Sequence, residues 1–396
     1  MIPNTKQTSM PAVLQTGFQI FFLAAMLFSI VTMLQWTWQL YFHEQIDLQT
    51  ISRTQWHGHE MLFGYAGAVI AGFLLTAVQN WTGRTTANGM SLIILFLLWL
   101  GARAFAILPQ HGGLYYVLLF SNLFYAALLV AIFRPIIQTG NNAQWIIGAK
   151  LVLLWVLDVL FLSAALGWLD SESASMWLLI AMYTMVGLIL VMAQRVMPFF
   201  TGNAIEDKGN VRDYPYVSLI SLLSLVGLLV TDVMGWQNAM LACGMVFAAS
   251  NIIRLYGWYD AEIWHKPLLW VLFIALVFII VGVIMRVTSH LTATLPSLGL
   301  HAMSYGGIGV ITIGMMARVS LGHTGRSVLQ PPSGLGIAFL LLAAGAIIRA
   351  LLPLVMMDYY FLLILVSQIF WIGAFLLMLV FFFVPLLQPR PDGKSG

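Results

Sequence analysis

The sequence predicts an all-α membrane protein with about twelve transmembrane helices, and three observations support this. Of its 396 residues, 61% are hydrophobic and only 8% are charged, whereas roughly a quarter of the residues in a soluble domain are charged. Its mean hydropathy is +0.93. Its apolar residues form long runs, and a helix needs about 20 of them to cross a bilayer core about 30 Å thick. We therefore expect a single integral membrane domain over residues 1–396, with the lipid bilayer as its solvent.

Twelve apolar runs are long enough to be transmembrane helices. The first follows a polar N-terminal segment and is too long for the apolar part of a signal peptide, so we count it as the first span. The longest polar connection, residues 201–214, is long enough for a loop but too short for a separate soluble domain. The predicted spans, in order, cover residues 17–42, 59–80, 90–108, 114–134, 145–167, 176–198, 215–233, 237–257, 267–288, 300–320, 334–355 and 360–385.

The distribution of basic residues predicts that both termini are cytoplasmic. Of the 17 Lys and Arg residues, all but Arg53, Arg103, Arg286 and Arg349 fall on the side of the N-terminus. Basic residues accumulate on the cytoplasmic side of a membrane, so we expect a multi-pass protein of the bacterial inner membrane. The net charge of +3 gives no reason to expect nucleic acid as a partner.

The sequence contains an internal repeat. Residues 59–84 and 301–326 align without a gap, from His59 and His301 to a shared Thr-Gly-Arg ending. Weaker copies of this ending occur at residues 201–202 and 139–140. The alignment predicts hairpin pseudo-repeats in which spans two, six and ten are related. The alternative is that small residues and turn glycines recur through packing rules alone.

Five of the eight histidines lie at the ends of predicted spans. His57, His59 and His301 form an outer layer, and His265 and His323 an inner layer. The other three, in predicted outer loops, are His43, His111 and His290. His301 and His323 are 22 residues apart, about 33 Å along a helix at 1.5 Å per residue. They cannot share a metal, so any outer and inner metal sites would be separate.

Neutral imidazole ligates haem iron, copper and zinc. On a helix His57 and His59 point about 200° apart, so one of them at most faces a given haem. Met61 and Met303 each follow a repeated histidine by two residues, and their thioethers suit soft copper. The competing interpretation is a hydrogen-bonded interfacial imidazole, or a helix cap for the inner pair.

Several charged residues fall inside or at the ends of predicted spans. Arg103, Arg286 and Arg349 lie at the outer ends of odd-numbered spans, where they would bind haem propionates or snorkel to the interface. Asp158 lies within span five, where a carboxylate predicts a proton relay or a buried hydrogen bond to a neighbouring span. Glu60 is a second proton-relay candidate.

Taken together, these motifs resemble the NnrS family of membrane proteins, which are described as carrying haem and copper and are linked to nitric oxide stress. The matching segments, in chain order, include WHGHEMLFG at 56–64, GFLLTAV at 72–78, RVMPFFT at 195–201, HKPLLW at 265–270 and ARVSLGHTGR at 317–326. Phe273 stands where the family often has a histidine, which removes one possible inner ligand.

The resemblance implies an inner-membrane protein that binds haem b, and also copper, and that binds nitric oxide, with reduction of nitric oxide as an open alternative. Catalytic residues are not assigned. Reduction would need quinol or a cytochrome as electron donor. A looser likeness is to the catalytic subunits of haem-copper oxidases and nitric oxide reductases, whose low-spin haem lies between histidines on spans two and ten. His59 and His301 would match that layout, but span six contains no histidine.

Two other classes of function fit the same sequence. One is a transporter that moves copper or a small solute through its twelve spans. The other is a non-catalytic sensor of nitric oxide or haem. Haem content would separate the transporter from the haem proteins, and nitric oxide consumption would separate an enzyme from a sensor.

Overall fold

A computed structural model describes residues 10–42, 50–107, 112–205 and 211–392. Within these ranges there is no strand, and twelve helices are long and apolar enough to cross a membrane. The predicted all-α, polytopic fold is thus confirmed. The spans, numbered one to twelve, are Gly17–Tyr41, Arg53–Thr82, Gly89–Ile107, Gly113–Thr139, Trp145–Ala165, Ser173–Ala204, Pro215–Val233, Gln237–Trp258, Pro267–Thr292, Pro296–His323, Leu335–Leu354 and Met357–Leu387.

Span two begins six residues before its apolar run, at Arg53 rather than residue 59. The Ser52 hydroxyl accepts a hydrogen bond from the Gln55 backbone N–H, and the Gln55 side chain accepts one from the Ser52 N–H. This capping box begins the helix at polar residues, which a search for apolar runs does not include. As a result, His57 and His59 both lie within the helix and not at its first residue.

Two of the other boundaries that differ from the prediction change the position of a histidine. Span ten starts at Pro296, a residue type favoured at the first helical position, so His301 lies about one turn and a half inside the helix. Span nine continues to Thr292, which places His290 in its last turn and not in a loop. Polar residues after an apolar run hide such a helix end from a hydropathy profile. His43 and His111 lie outside the described residues.

The recurring Thr-Gly pairs have a local structural cause at three of their four positions. Gly83, Gly140 and Gly325 have φ angles of +64°, +63° and +72°, a left-handed conformation that glycine adopts without strain and that ends helices. Gly202 differs, because span six continues through it to Ala204. The repeated ending therefore marks helix termination in spans two, four and ten.

Three helical segments have π-helical geometry, namely Glu60–Tyr65, Ala302–Gly309 and Ile347–Leu351. The first two begin immediately after His59 and His301, the residues that start the two aligned segments. π-Helical turns are rare and often occur at functional sites. The backbone irregularity therefore follows the sequence repeat, although no sequence pattern predicts it.

Spans two, six and ten contact one another in the middle of the molecule. The other spans surround them: three to five pack in chain order, seven to nine likewise, and span twelve packs on spans one and eleven. The outer end of a span is defined as the end on the same side as His57 and His301, in keeping with the orientation predicted from basic residues. The central position of the three related spans places both aligned histidines inside the bundle.

Candidate cofactor site and buried ion network

Two of the predicted site residues, His301 and Arg349, are in contact at the outer ends of spans ten and eleven. The Nη2 atom of Arg349 lies 3.1 Å from Nε2 of His301. His57, on span two, is close enough to both of these residues for electrostatic interaction. No hydrogen bond or ring contact among the described residues joins His57 to either of them. We term His57, His301 and Arg349 together the outer histidine site.

The hydrogen bonds of His301 define its tautomer. Arginine only donates hydrogen bonds, so Nε2 of His301 accepts from Arg349. Its Nδ1 then carries the proton and donates to the Ser297 backbone carbonyl at 2.8 Å. This is the arrangement of a metal-ligating histidine, in which one nitrogen has a lone pair and the other is oriented by a carbonyl.

His57 lies flat against Trp36 of span one, with ring centroids 4.7 Å apart and planes within 13°. Its Nδ1 atom is buried and has no hydrogen-bond partner among the described residues. A buried polar atom without a partner is uncommon and asks for an explanation, such as a missing ion or cofactor. No sequence signal marks Trp36, which is one of several aromatic residues in the apolar run of span one.

Arg349 lies in the third π-helical segment and has one further partner. Its Nη1 atom is 3.4 Å from the Tyr360 hydroxyl, and its guanidinium lies 5.5 Å from the centroid of the same ring. No described Asp or Glu forms an ion pair with it. Tyr360 begins the last long helix, and nothing in the sequence marks it as a site residue.

His59 faces a different set of residues from His57, as the 200° separation predicts. Its Nδ1 lies 2.9 Å from Oε1 of Glu60, and its Nε2 lies 2.8 Å from Oδ1 of Asp158. The imidazole is fully buried and stacks against Trp56 and Phe161. Both ring nitrogens are therefore already engaged, and neither faces the outer histidine site.

Arg103 and Ser121 complete the buried ion network around His59. Arg103 donates to Glu60 Oε1 at 2.7 Å, and the Ser121 hydroxyl donates to Asp158. Two nitrogens of one imidazole both donate only in its protonated form. With a proton on His59, two cations balance two carboxylates, which is the charge state that burial favours. Asp158 thus hydrogen-bonds residues of spans two and four.

Arg286 has its carboxylate partner within the chain. Its Nε and Nη2 atoms donate to the two carboxylate oxygens of Asp232 at 3.0 and 2.8 Å, and Tyr183 donates to the same carboxylate at 2.8 Å. These residues lie on spans nine, seven and six. The Arg286 backbone packs against Gly299, two residues before His301, but its guanidinium is bound to Asp232 and not to the outer histidine site. The sequence does carry a signal for Asp232, since it is a carboxylate in an apolar span, as Asp158 is.

The remaining predicted ligands are not gathered at the outer histidine site. Met303 is fully buried and packs where Gly282 leaves room on span nine. Met61 packs against the apolar core. At the inner side, His265 is exposed in the short helix Ala261–His265, whereas His323 lies 3.4 Å from the Asn80 amide. No hydrogen bond or ring contact joins these two histidines in the described part of the chain.

A common arrangement recurs in the three related spans. Each presents, in its outer half, a side chain that contacts a charged residue on the following span: Glu60 with Arg103 at 2.7 Å, Tyr183 with Asp232 at 2.8 Å, and His301 with Arg349 at 3.1 Å. The three pairs differ in chemistry and in exact position, and share the order of the two spans that each joins. Among them, the His301–Arg349 pair is the one without a carboxylate.

Comparison with known proteins identifies the family of this chain from a match that covers most of its length. No curated protein matches it. The family model described as NnrS protein matches residues 12–390, which includes all twelve spans, the outer histidine site and the buried ion network. The family expected from the motifs is thereby confirmed, and this chain belongs to the NnrS family.

Proposed function

We propose that this protein binds haem b at the outer histidine site, binds nitric oxide there, and so protects the cell against nitrosative stress. The observation that carries the proposal is the grouping of two imidazoles and a guanidinium, those of His57, His301 and Arg349, at the part-buried outer ends of three spans. Membership of the NnrS family supports the link to nitric oxide stress.

The donor set at this site fits a haem. Two imidazoles supply ligating nitrogens, and His57 has a buried ring nitrogen that the protein leaves without a partner among the described residues. Arg349 is a cation without a described carboxylate, as expected of a residue that binds an anionic propionate. His59 fits less well, because both of its nitrogens contact carboxylates. His57 and His301 are therefore the histidines that would hold the haem iron.

A bound haem would supply an iron that exchanges electrons and that would coordinate nitric oxide in exchange for one of the two imidazoles. The protein residues orient and tune that group. The Ser297 carbonyl fixes the tautomer of His301 and increases the basicity of its Nε2. Trp36 limits the rotation of the His57 ring by stacking on it.

Copper is the second cofactor that we propose, and its donors are less well gathered. Thioethers suit Cu(I), and Met61 and Met303 lie on the same spans as the histidines. Met303, however, packs against span nine, which leaves Met61 with the histidines as the donor set. The inner histidines remain a separate proposed site, at which loss of metal from His265→Ala and from His323→Ala should match.

Reduction of nitric oxide is the activity that the family resemblance suggests. Two molecules of nitric oxide, two electrons and two protons give one nitrous oxide and one water. The electrons would come from quinol or a cytochrome. The residues placed to hold a proton near the outer end are His59, Glu60 and Asp158, in one hydrogen-bonded network.

The test is an absorption spectrum and metal analysis of the purified full-length protein, for the wild type and for His57→Ala and His301→Ala. We expect stoichiometric haem in the wild type and its loss in both variants. His265→Ala is the control for haem content alone, since His265 is exposed and lies just before the inner end of span nine, and it should keep its haem whether or not an inner metal is lost. A haem-free wild type containing copper would favour the transporter instead.

A second measurement separates enzyme from sensor. Nitric oxide consumption is followed with an electrode, with and without a reduced quinol or cytochrome. Consumption that needs the donor, and that yields nitrous oxide, supports reduction. Stoichiometric binding without turnover under these conditions would identify a sensor.

A further inference from the structure

A cavity of about 90 Å³ lies where the three related spans meet. Its walls come mainly from spans two, six and ten, with Phe22 of span one and Leu272 of span nine. Ala66, Ala193 and Ile308 represent the three main walls. The outer histidine site has no residue in this lining, so the cavity is a separate feature of the bundle centre.

The cavity offers no hydrogen bond to a guest. Seventeen of its eighteen lining side chains are apolar, and the exception is Thr312. The Thr312 hydroxyl is already paired with the Tyr65 hydroxyl at 2.7 Å and with the Ile308 carbonyl at 2.7 Å. A buried water needs two to four polar partners. The cavity is therefore dry, and its ligand must be apolar.

Its volume limits the ligand to a few atoms. An engineered apolar cavity of about 150 Å³ binds benzene or xenon, and one water takes about 30 Å³ of liquid. A cavity of about 90 Å³ holds a xenon atom or one or two diatomic molecules. It is too small for a substituted ring such as a quinone headgroup. Because the cavity is open on one side, an acyl chain from the bilayer is the competing occupant.

The cavity lies inward of the outer histidine site. Ile308 follows His301 by seven residues, roughly 10 Å along a helix. We propose that this cavity binds a small apolar gas, nitric oxide or dioxygen, and holds it beside the cofactor site. The proposal that gas binds here depends only on the cavity. The proposal that gas is delivered to a haem also rests on the proposed function.

Xenon tests the binding step without any cofactor. Crystals of the full-length protein pressurised with xenon should show one atom bounded by Ala66, Ala193 and Ile308. Ala193→Leu and Ala66→Leu each extend a side chain into the cavity from a different span, and each should abolish the xenon peak. Ala242→Leu is the matched control, since Ala242 is exposed on span eight, and it should retain the peak.

Delivery is tested by the bimolecular rate of nitric oxide binding after flash photolysis of the haem protein. Either filling variant should slow this rate at least a few-fold, and Ala242→Leu should not. A wild-type cavity that takes no xenon, or that contains an acyl chain or detergent, would overturn the proposal. Xenon bound in a protein that holds no haem would instead leave the gas site standing and refute the proposed function.

Discussion

Arg349 donates a hydrogen bond to His301 through the imidazole nitrogen that a metal would use, at a distance of 3.1 Å. Because the other nitrogen donates to the Ser297 carbonyl, His301 is held as a neutral ring with its lone pair directed at a cation. A haem would replace that contact with an iron–nitrogen bond. Its propionate would then give Arg349 the carboxylate that the described part of the chain does not provide.

The first prediction concerns Arg349. In Arg349→Gln we expect the affinity for haem to fall about 10–100-fold, the usual cost of removing an outer-shell partner. The affinity is measured by titrating haem into the protein expressed without it. Arg286→Gln is the matched control, because Arg286 is already bound to Asp232 by two hydrogen bonds.

In that control, stability should fall while haem affinity stays within about twofold of the wild-type value. The reason is that the Asp232 carboxylate loses its cation but the outer histidine site is untouched. Equal haem affinity in Arg349→Gln and the wild type would mean that Arg349 does not bind a propionate.

A second prediction distinguishes the two histidines of span two. His57→Ala should abolish the low-spin haem spectrum, because it removes one of the two histidines that would hold the haem iron. His59→Ala should leave that spectrum in the protein that folds, but should lower the yield and thermal stability by disrupting the buried ion network. The measurements are the haem absorption spectrum and a thermal unfolding curve of each variant in the same detergent. The opposite assignment of effects would make His59 the ligand.

The buried ion network gives a third prediction. Arg103→Met leaves two buried carboxylates, Glu60 and Asp158, with one cation, the protonated His59, and so with one unpaired negative charge. Removing one partner of a buried pair costs about 3–5 kcal/mol. The double variant Arg103→Met with Glu60→Gln should recover much of that loss, because the unpaired charge is gone. Unfolding monitored by circular dichroism measures both. If the double variant is no more stable than the single one, the cost lies in packing rather than in the charge.

The fold can be predicted well from the sequence because few backbone structures are stable in the bilayer core. Every backbone group in the bilayer core must be satisfied within its own helix, so apolar run length alone places a span such as Pro267–Thr292. It is less successful at polar span ends. Span two starts on a capping box at Ser52, where hydropathy falls to that of a loop.

The site can be predicted in part. Placing a histidine or an arginine in apolar surroundings costs free energy, so His57, His301 and Arg349 can be recognised as site candidates by residue type and position. Their grouping is not predictable, because it depends on which spans are neighbours and on how π-helical turns rotate each side chain. Trp36 shows the limit, since an aromatic residue that stacks on a site histidine looks the same in sequence as one that faces lipid.

The fourth prediction concerns orientation. Most of the basic residues fall on the side of the N-terminus, so a reporter fused after Gly396 should be active in the cytoplasm. Lys6, Lys208 and Lys394 contribute to this count but lie outside the described residues. An alkaline phosphatase and a green fluorescent protein fusion at the same position serve as complementary reporters. Periplasmic phosphatase activity would reverse the orientation and place the histidine site on the cytoplasmic side.

The last prediction separates the two histidine layers. His301 lies near one end of span ten and His323 is the last residue at the other, so a single metal cannot bind both. His323→Ala should therefore leave the haem spectrum unchanged, although it removes the contact with Asn80 and the ring packing on Phe18. Haem content and total metal are measured on the same sample, with His301→Ala as the comparison. Loss of haem in His323→Ala at normal protein yield would contradict the layering, because the iron would then depend on a residue about 33 Å along the helix from its proposed ligand.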